Sequence, residues 1–136
     1  AGGRKIIKRI EKKKNFVKIP NMLSHDFLSL MFYSSLMIGN SSAGIREAPS
    51  FELPVINIGT RQNGRLRAKN VIDVDHDTSK IKKAIDYCLN NNDFKKSLSN
   101  LKNPYGDGTA AKKIVDILEN VKINKELIQK KISYEI

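Results

Sequence analysis

Leu36-Met-Ile-Gly-Asn-Ser-Ser-Ala-Gly-Ile-Arg-Glu47 is the stretch that decides the fold of this chain. It opens on a brief apolar run, Leu36 to Ile38, whose unalternating pattern is typical of a strand buried in a parallel sheet. Gly39 and Asn40 end the run, and the two serines after them lead into a short segment with a helical pattern. The stretch therefore predicts a strand, a tight loop and a helix in direct succession.

The same alternation of strand and helix continues outward from this stretch. Strands are predicted at residues 15–19, 36–38, 54–58 and 71–74. Helices are predicted at 4–14, from Ser24, after Ser41, from Asp77 or Thr78, at Asp93 and from Thr109, with a weakly helical tail from Lys122 to Ile136. Ser24 and Thr109 are the expected caps of their helices. We therefore expect an α/β fold, a Rossmann-like parallel sheet with helices on both faces.

The first residues suggest that the chain is part of a longer protein. It opens on Ala1-Gly-Gly3, with no initiator methionine, and a helical pattern follows directly. A Gly-Gly pair before a helix is typical of a strand-to-helix turn, so we expect a strand before this chain. We interpret residues 1–136 as one nucleotide-binding domain, the C-terminal domain of the longer protein.

The formal net charge is +11, and residues 1–14 carry seven basic residues against Glu11. A nucleic-acid surface would interleave such charges with aromatic side chains. Aromatic residues make up only 7% of the chain and tryptophan is absent, so we expect no nucleic-acid partner. A basic balance also suits a site for anionic phosphates.

Cysteine content and hydropathy exclude several other classes. Cys88 is the single cysteine of the chain, so neither an internal disulfide nor a cysteine metal cage can form. No apolar run approaches the roughly 20 residues that a membrane-spanning helix needs. We therefore expect a cytoplasmic protein with no membrane partner.

The loop after the first buried strand is the sharpest candidate site. Ser41, Ser42 and Gly44 stand at the start of a predicted helix, where N–H groups and hydroxyls can bind phosphate oxygens. An ordinary serine cap with a glycine turn explains the same residues, and the residues alone leave both interpretations open. Glu47 lies one turn further on, where the helix dipole favours an acid without any ligand.

A second candidate is the basic loop from Gly59 to Lys69, which follows the next strand along the chain. It contains Arg61, Arg65, Arg67 and Lys69 with few apolar residues to bury. Arginine clusters suit bidentate contact with phosphate or carboxylate groups. The carboxyl ends of parallel strands gather at one edge of a sheet, so both loops are expected on the ligand-binding side.

No metal site is expected. His25 and His76 stand far apart, with no metal-ligand spacing between them. Asp73, Asp75 and Asp77 alternate at a strand end, where a helix cap and a solvated turn explain them better than a cation does. No Ser-His-Asp set or paired-carboxylate arrangement stands out.

Three blocks closely resemble the UDP-N-acetylglucosamine 2-epimerase family, in its hydrolysing, sialic-acid-biosynthesis branch. They are the run from Ile38 to Phe51, the run Pro54-Val-Ile-Asn-Ile-Gly-Thr-Arg-Gln-Asn-Gly-Arg65, and Asn70-Val-Ile-Asp-Val74. Asn103-Pro-Tyr-Gly-Asp-Gly108 resembles the loop before the family's closing helix. One position departs, because the family usually has glycine where this chain has Glu52.

The resemblance implies that this chain is the C-terminal half of a glycosyltransferase-B-type fold. Serines at the family positions of Ser41 and Ser42 hold the diphosphate, and the acid matching Glu47 binds the ribose. The arginine matching Arg61 contacts the nucleotide or its phosphates, and main chain near Met22 meets the uracil ring. Family resemblance thus favours the ligand-binding interpretation of Glu47, which the residues alone did not.

The family reaction eliminates the nucleoside diphosphate across C1–C2 of the sugar and then adds water to the glycal, inverting C2. Its acid and base carboxylates lie in the first half of the family fold, and its junction histidine would fall before Ala1. We therefore expect no catalytic residue in this chain and no activity of the chain alone. The expected partners are UDP or UDP-N-acetylglucosamine, the N-terminal domain and a second copy of the chain, without any cofactor.

Alternatives remain open at this point. The serines and Arg61 would serve GDP as well as UDP, as in a GDP-sugar 2-epimerase of the bacillosamine or legionaminic type. A nucleotide-sugar glycosyltransferase domain can share this half-fold. A non-catalytic anion-binding domain that relies on the basic first helix is a third alternative, and it predicts salt-sensitive binding to polyanions.

Overall fold

A computed structural model describes residues 3–129 of the chain, which divide into two compact units at Ser34 and Ser35. The first unit contains helices α1 (Gly3–Glu11) and α2 (Ser24–Tyr33). The strands of the second unit are β1 (Met37–Gly39), β2 (Val55–Ile58) and β3 (Val71–Val74). Its helices are α3 (Ala43–Arg46), a 3₁₀ helix (Ala48–Phe51), α4 (Thr78–Asn90), α5 (Asn92–Leu98), α6 (Ala110–Asn120) and α7 (Lys125–Ile128).

The three strands form one parallel sheet in the order β1-β2-β3. Ile38 pairs with Ile56, and Ile56 pairs in turn with Ile72. Since all three strands run the same way, the loops after Gly39 and Ile58 leave the sheet at one edge. The predicted α/β fold class is confirmed, and the strand predicted at 71–74 has the observed bounds.

Helices cover both faces of the sheet because consecutive residues of β2 point in opposite directions. Val55 points towards α3, where its side chain fills the space in which Gly44 would carry a Cβ atom. Ile56 points the other way and belongs to the main core of α4 and α5, with Ala84, Cys88, Phe94 and Leu98. Cys88 is fully buried there, as its place on an apolar helix face predicts.

The strand predicted at residues 15–19 is wrong. These residues form turns and extended chain, and Phe16, Val17 and Ile19 are exposed. A strand needs a neighbour to pair its backbone groups. The first unit offers none among its described residues, so β-branched composition alone does not produce a strand.

One predicted helix cap is wrong, and a second is confirmed in its position but not in its bonding. Ser24 is the first helical residue of α2 rather than its cap, and the cap position is held by Leu23. Thr109 does occupy the cap position of α6, but its side chain makes no capping bond to that helix. Its hydroxyl instead hydrogen-bonds to the carboxylate of Asp107. Asp77, in contrast, caps α4 as predicted, because its carboxylate accepts the Lys80 N–H at 2.7 Å.

Glu52 forms the turn between the 3₁₀ helix and β2, at a position where the family usually has glycine. Its φ of 53° lies in the left-handed region, which costs a residue with a side chain about 1–2 kcal/mol. Its Oε1 atom accepts the backbone N–H of Asn100 at 2.6 Å, and this bond offsets part of that cost. The departure at position 52 therefore leaves the path into β2 intact.

Residues 3–129 lack two further features. No helix in this part of the chain is both long enough and apolar enough to cross a membrane. No group of three or more His, Cys, Asp or Glu side chains there is placed to hold a metal ion. Of the predicted helical tail, α7 is observed, while residues 130–136 lie outside the described part, as do Ala1 and Gly2.

Candidate functional site

The serine loop, which contains Ser41 and Ser42, follows the carboxyl end of β1. It has hydrogen-bond donors that make no bond within the described residues. The Ser41 hydroxyl accepts the Ala43 N–H at 3.3 Å, which is long for a hydrogen bond. Ser42 holds the cap position of α3 but makes no side-chain capping bond. Neither the Ser42 hydroxyl nor the Ser41 N–H has a hydrogen-bond partner between residues 3 and 129. The ordinary-cap interpretation therefore fails for Ser42.

Arg61 lies against this loop, as its candidate role requires. Its Nη1 atom donates to the Asn40 carbonyl at 3.0 Å, across the carboxyl ends of β1 and β2. The side chain of Arg61 is exposed, and a planar guanidinium that makes one bond keeps four further N–H donors. The structure thus brings Arg61, Ser41 and Ser42 to one edge of the sheet.

Arg67 of the basic loop is engaged within the protein, so its role as a phosphate-binding residue stays a prediction. Its Nη1 atom pairs with Asp73 of β3, and its Nη2 atom donates to the Gln62 carbonyl at 2.6 Å. A guanidinium bound on both sides tethers the loop to the sheet. Arg65 and Lys69 are exposed and make no ion pair within residues 3–129, so they keep their charge available.

Glu47 follows α3 directly and presents an unpaired carboxylate. Its Oε2 atom is buried and has no hydrogen-bond partner in residues 3–129. A buried acceptor without a donor is unfavourable, and more so when it carries charge. Glu47 lines a cavity of about 390 Å³, whose polar walls include Asn103, Tyr105, Asp107 and Lys113. The cavity could admit a ligand beside Glu47.

Sequence reasoning did not include the loop from Asn103 to Gly108 among the site residues. Its first side chain donates from Nδ2 to the Arg46 carbonyl and to the Ser50 hydroxyl, both at 2.7 Å. Tyr105 donates its hydroxyl to the Leu66 carbonyl at 3.0 Å, which ties this loop to the basic loop. The Asn-Pro-Tyr-Gly-Asp-Gly pattern signals a turn, but only the fold places it beside Glu47.

Asp107 orders the end of this loop. Its Oδ1 atom accepts the hydroxyl and the backbone N–H of Thr109, the latter at 3.0 Å. These bonds, with the charge of Lys113 nearby, lower the pKa of Asp107 to about 2. The carboxylate is therefore ionised at neutral pH and holds Thr109 in place at the cap position of α6.

Gly44 and Met22 complete the predicted set. A Cβ atom on Gly44 would lie 2.7 Å from Cγ1 of Val55, so close helix–sheet packing already accounts for the glycine. Its N–H donates to the Ser41 carbonyl at 3.3 Å. Met22 lies in the first unit, between α1 and α2, where its N–H donates to the side chain of Asn21. Contact of either residue with a ligand stays a prediction.

Comparison with known proteins decides the family. The family model described as UDP-N-acetylglucosamine 2-epimerase matches residues 1–119, which is most of the chain. The chain belongs to this family. The resemblance seen in the serine loop and the basic loop is therefore confirmed at the level of the family.

Two curated relatives of this 2-epimerase family chain are bacterial enzymes. The "UDP-N,N'-diacetylbacillosamine 2-epimerase (hydrolyzing)" of Legionella pneumophila is 38% identical over 105 residues, covering 77% of this chain and 26% of that protein. The "GDP/UDP-N,N'-diacetylbacillosamine 2-epimerase (hydrolyzing)" of Campylobacter jejuni is 58% identical over 53 residues, covering 39% and 14%. The chain thus spans about a quarter of the length of the Legionella pneumophila relative, and its match to the Campylobacter jejuni relative is shorter.

A solved structure supports the fold. A 2.2 Å crystal structure of a Listeria monocytogenes protein assigned to UDP-N-acetylglucosamine 2-epimerase superposes with a TM-score of 0.66. The match covers 86% of this chain and 32% of that one, at 24% sequence identity. At this identity the similarity establishes a shared fold, and the ligand has to be argued from the site itself.

Proposed function

We propose that this chain is the nucleotide-binding half of a hydrolysing UDP-N-acetylglucosamine 2-epimerase, which converts UDP-N-acetylglucosamine to N-acetylmannosamine and UDP. The proposal rests chiefly on the buried, unpartnered Oε2 atom of Glu47, one short helix away from the unused donors of Ser41 and Ser42. A nucleoside diphosphate supplies what both groups need, because its ribose donates hydroxyls and its phosphates accept hydrogen bonds.

The diphosphate part of the proposal concerns the serine loop. The Ser42 hydroxyl and the Ser41 N–H are donors without partners in the described chain. Arg61 adds a positive charge at the same edge, anchored through the Asn40 carbonyl. Hydrogen bonds from these groups strengthen as negative charge develops on the departing diphosphate, so they would favour cleavage of the bond between C1 and the phosphate oxygen.

The rest of the reaction requires groups that we do not assign to this chain. The carboxylates that exchange protons with the sugar are expected in the N-terminal half, as the family resemblance implies. We propose that residues 1–136 alone bind the nucleotide and do not turn over a nucleotide sugar. Met22 and Gly44 remain proposed members of the nucleotide site, Met22 through its main chain near the uracil ring.

Competing nucleotides distinguish the leading proposal from the GDP alternative. The name of the Campylobacter jejuni relative includes both nucleotides, and the diphosphate-binding groups proposed here do not select a base. Competition between UDP and GDP for the chain would identify the preferred base. Binding of polyanions that weakens steeply with salt, without UDP binding, would instead support an anion-binding domain built on α1.

Glu47→Gln tests the ribose contact. The substitution keeps the size of the side chain but replaces one carboxylate oxygen by an NH₂ group, which cannot accept a hydrogen bond. Hydrogen bonds to charged groups contribute about 1.5–3 kcal/mol, so we expect UDP affinity to fall about tenfold or more. Affinity for 2′-deoxy-UDP should fall much less, because that ligand already lacks one of the ribose hydroxyls.

Titration calorimetry of UDP and of 2′-deoxy-UDP against the native chain and against Glu47→Gln measures this difference in affinity. Glu119→Gln, which neutralises an exposed acid on α6, is the control and should leave the affinity unchanged. An equal loss for UDP and 2′-deoxy-UDP would contradict the ribose role of Glu47. Equal UDP affinity in the native chain and in Glu47→Gln would remove Glu47 from the site.

A further inference from the structure

Gln62 is a buried polar side chain for which the proposed nucleotide site has no direct use. It is 2% exposed, and its Oε1 atom is buried without a hydrogen-bond partner among residues 3–129. An apolar residue of the same size would fill this position without that penalty. The amide therefore has to be explained by what its nitrogen does.

The Gln62 amide reaches from the basic loop to the serine loop. Its Nε2 atom donates to the Asn40 carbonyl at 2.7 Å, and the assignment of nitrogen is secure because a carbonyl can only accept. The same carbonyl accepts Nη1 of Arg61 at 3.0 Å. Two donors on one carbonyl hold the peptide between Asn40 and Ser41 in a fixed orientation.

That orientation decides where the Ser41 N–H points. A trans peptide is planar, with its C=O and N–H groups directed to opposite sides, and residues 3–129 contain no cis bond. Drawing the Asn40 carbonyl towards the basic loop therefore turns the Ser41 N–H away from it. This N–H has no partner in the described chain, so it is available to a ligand.

Gln62 is itself held to the sheet at its backbone. Its carbonyl accepts Nη2 of Arg67 at 2.6 Å, and the same guanidinium pairs with Asp73. The other oxygen of Asp73 accepts Nδ2 of Asn57 at 2.6 Å, between paired positions of β2 and β3. A continuous set of polar contacts thus runs from the sheet interior through Gln62 to the serine loop.

We propose that Gln62 is a positioning residue for the nucleotide site, which holds the Asn40–Ser41 peptide so that the Ser41 N–H faces a phosphate oxygen. The proposal rests on the proposed function for the identity of the ligand, but the orientation of the peptide can be measured without one. The unpaired Oε1 atom is the penalty of using an amide at a buried position. Gln62 itself touches no ligand.

Gln62→Met separates positioning from packing. Methionine has a similar shape but no donor, and it removes the unpaired oxygen as well. We expect an unchanged or higher melting temperature, UDP affinity lower by about fivefold to tenfold, and a displaced Ser41 amide signal in the nitrogen–proton NMR spectrum of the ligand-free chain. If Gln62→Met does not fold, Gln62→Asn, whose shorter side chain cannot reach Asn40, is measured in its place.

Asn70→Leu is the matched control. Asn70 is also fully buried, its Oδ1 atom also lacks a partner in residues 3–129, and its Nδ2 atom also donates to a backbone carbonyl, that of Leu53 at 2.8 Å. It lies at the opposite edge of the sheet, at the start of β3. We expect Asn70→Leu to leave both the UDP affinity and the Ser41 amide signal unchanged.

The outcomes are distinguishable. Native UDP affinity in Gln62→Met, or an equal loss in Asn70→Leu, would overturn the positioning role. Failure of the native chain to bind UDP would overturn the proposed function alone. In that case the Ser41 amide signal still decides, because an unmoved signal in Gln62→Met would overturn the positioning role as well.

Discussion

At the scale of single residues, the site is defined by polar groups that the fold leaves unsatisfied. Folded proteins pair nearly all of their buried polar atoms, so each exception calls for an explanation. Glu47, Gln62 and Asn70 each carry a buried oxygen without a partner in residues 3–129, and Asn70 lies away from the proposed site, just before β3. Ser42 adds a hydroxyl without a partner in the described chain. Under the proposed function, a nucleotide would account for Glu47 and Ser42 together.

Ser42→Ala should separate ligand binding from stability. The hydroxyl makes no bond within residues 3–129, so its removal should change the free energy of unfolding by less than about 0.5 kcal/mol. UDP binding should weaken by about 0.5–1.5 kcal/mol for a neutral hydrogen bond, and by more if the bond is to a charged oxygen. Denaturant unfolding and calorimetric titration measure the two quantities.

Ser97→Ala serves as the control for this substitution. Its hydroxyl donates to the Phe94 carbonyl within α5, away from the proposed site. This variant should lose a little stability and keep its UDP affinity. Unchanged affinity in Ser42→Ala would remove Ser42 from the site.

At the scale of elements, periodicity predicted the second unit well. The alternation of short apolar runs with amphipathic segments identified all three strands of the sheet and the helices packed on it. Residues 15–19 have the composition of a strand but no neighbour to pair with, and sequence cannot supply a neighbour. The missing capping bond of Thr109 has a related reason, since its hydroxyl bonds instead to the carboxylate of Asp107.

Some residues of the candidate site could be predicted from the sequence and others could not. Ser41, Ser42, Glu47 and Arg61 could be singled out because a strand-loop-helix pattern implies where they lie. Gln62 could not, since its contact with Asn40 joins residues 22 positions apart. The pairing of Arg67 with Asp73 could not be predicted either, because a pattern of basic residues does not show which of them lies beside an acid.

Gly44→Ala tests the packing of α3 on the sheet. The added methyl would lie 2.7 Å from Cγ1 of Val55. Overpacking of this kind costs about 1–3 kcal/mol, which exceeds the gain of up to about 1 kcal/mol in helix propensity. Thermal unfolding should show a lower melting temperature. A smaller loss in a Val55→Ala background would identify the clash, and a stabilised Gly44→Ala chain would contradict it.

The loop before α6 should respond to acid below the usual range of aspartate. The pKa of Asp107 is lowered from 3.8 to about 2, so its stabilising contacts with Thr109 are complete above pH 3.8. They are lost as the pH falls through about 2, where the carboxylate becomes protonated. The Thr109 amide signal should report this transition in an NMR titration, and Asp107→Asn should lack it. A midpoint near 3.8 would contradict the assigned contacts.

At the scale of the whole molecule, the chain spans about a quarter of its Legionella pneumophila relative. The described residues form two units, and the candidate groups at the sheet edge belong to the second, Ser35–Ile136. The main core of that unit contains residues of β2, α4 and α5. Under the proposed function, this unit holds the nucleotide, and the groups that act on the sugar come from the N-terminal half.

Titration of the 136-residue chain with UDP, followed residue by residue in nitrogen–proton NMR spectra, tests this account most directly. We predict saturable shifts of the Ser41 and Ser42 amide signals, accompanied by those of Glu47 and Arg61. The same titration with uridine, which lacks phosphates, should leave the two serine signals nearly unmoved. Absence of saturation at millimolar UDP, or shifts confined to the basic residues of α1 and abolished by salt, would contradict the account.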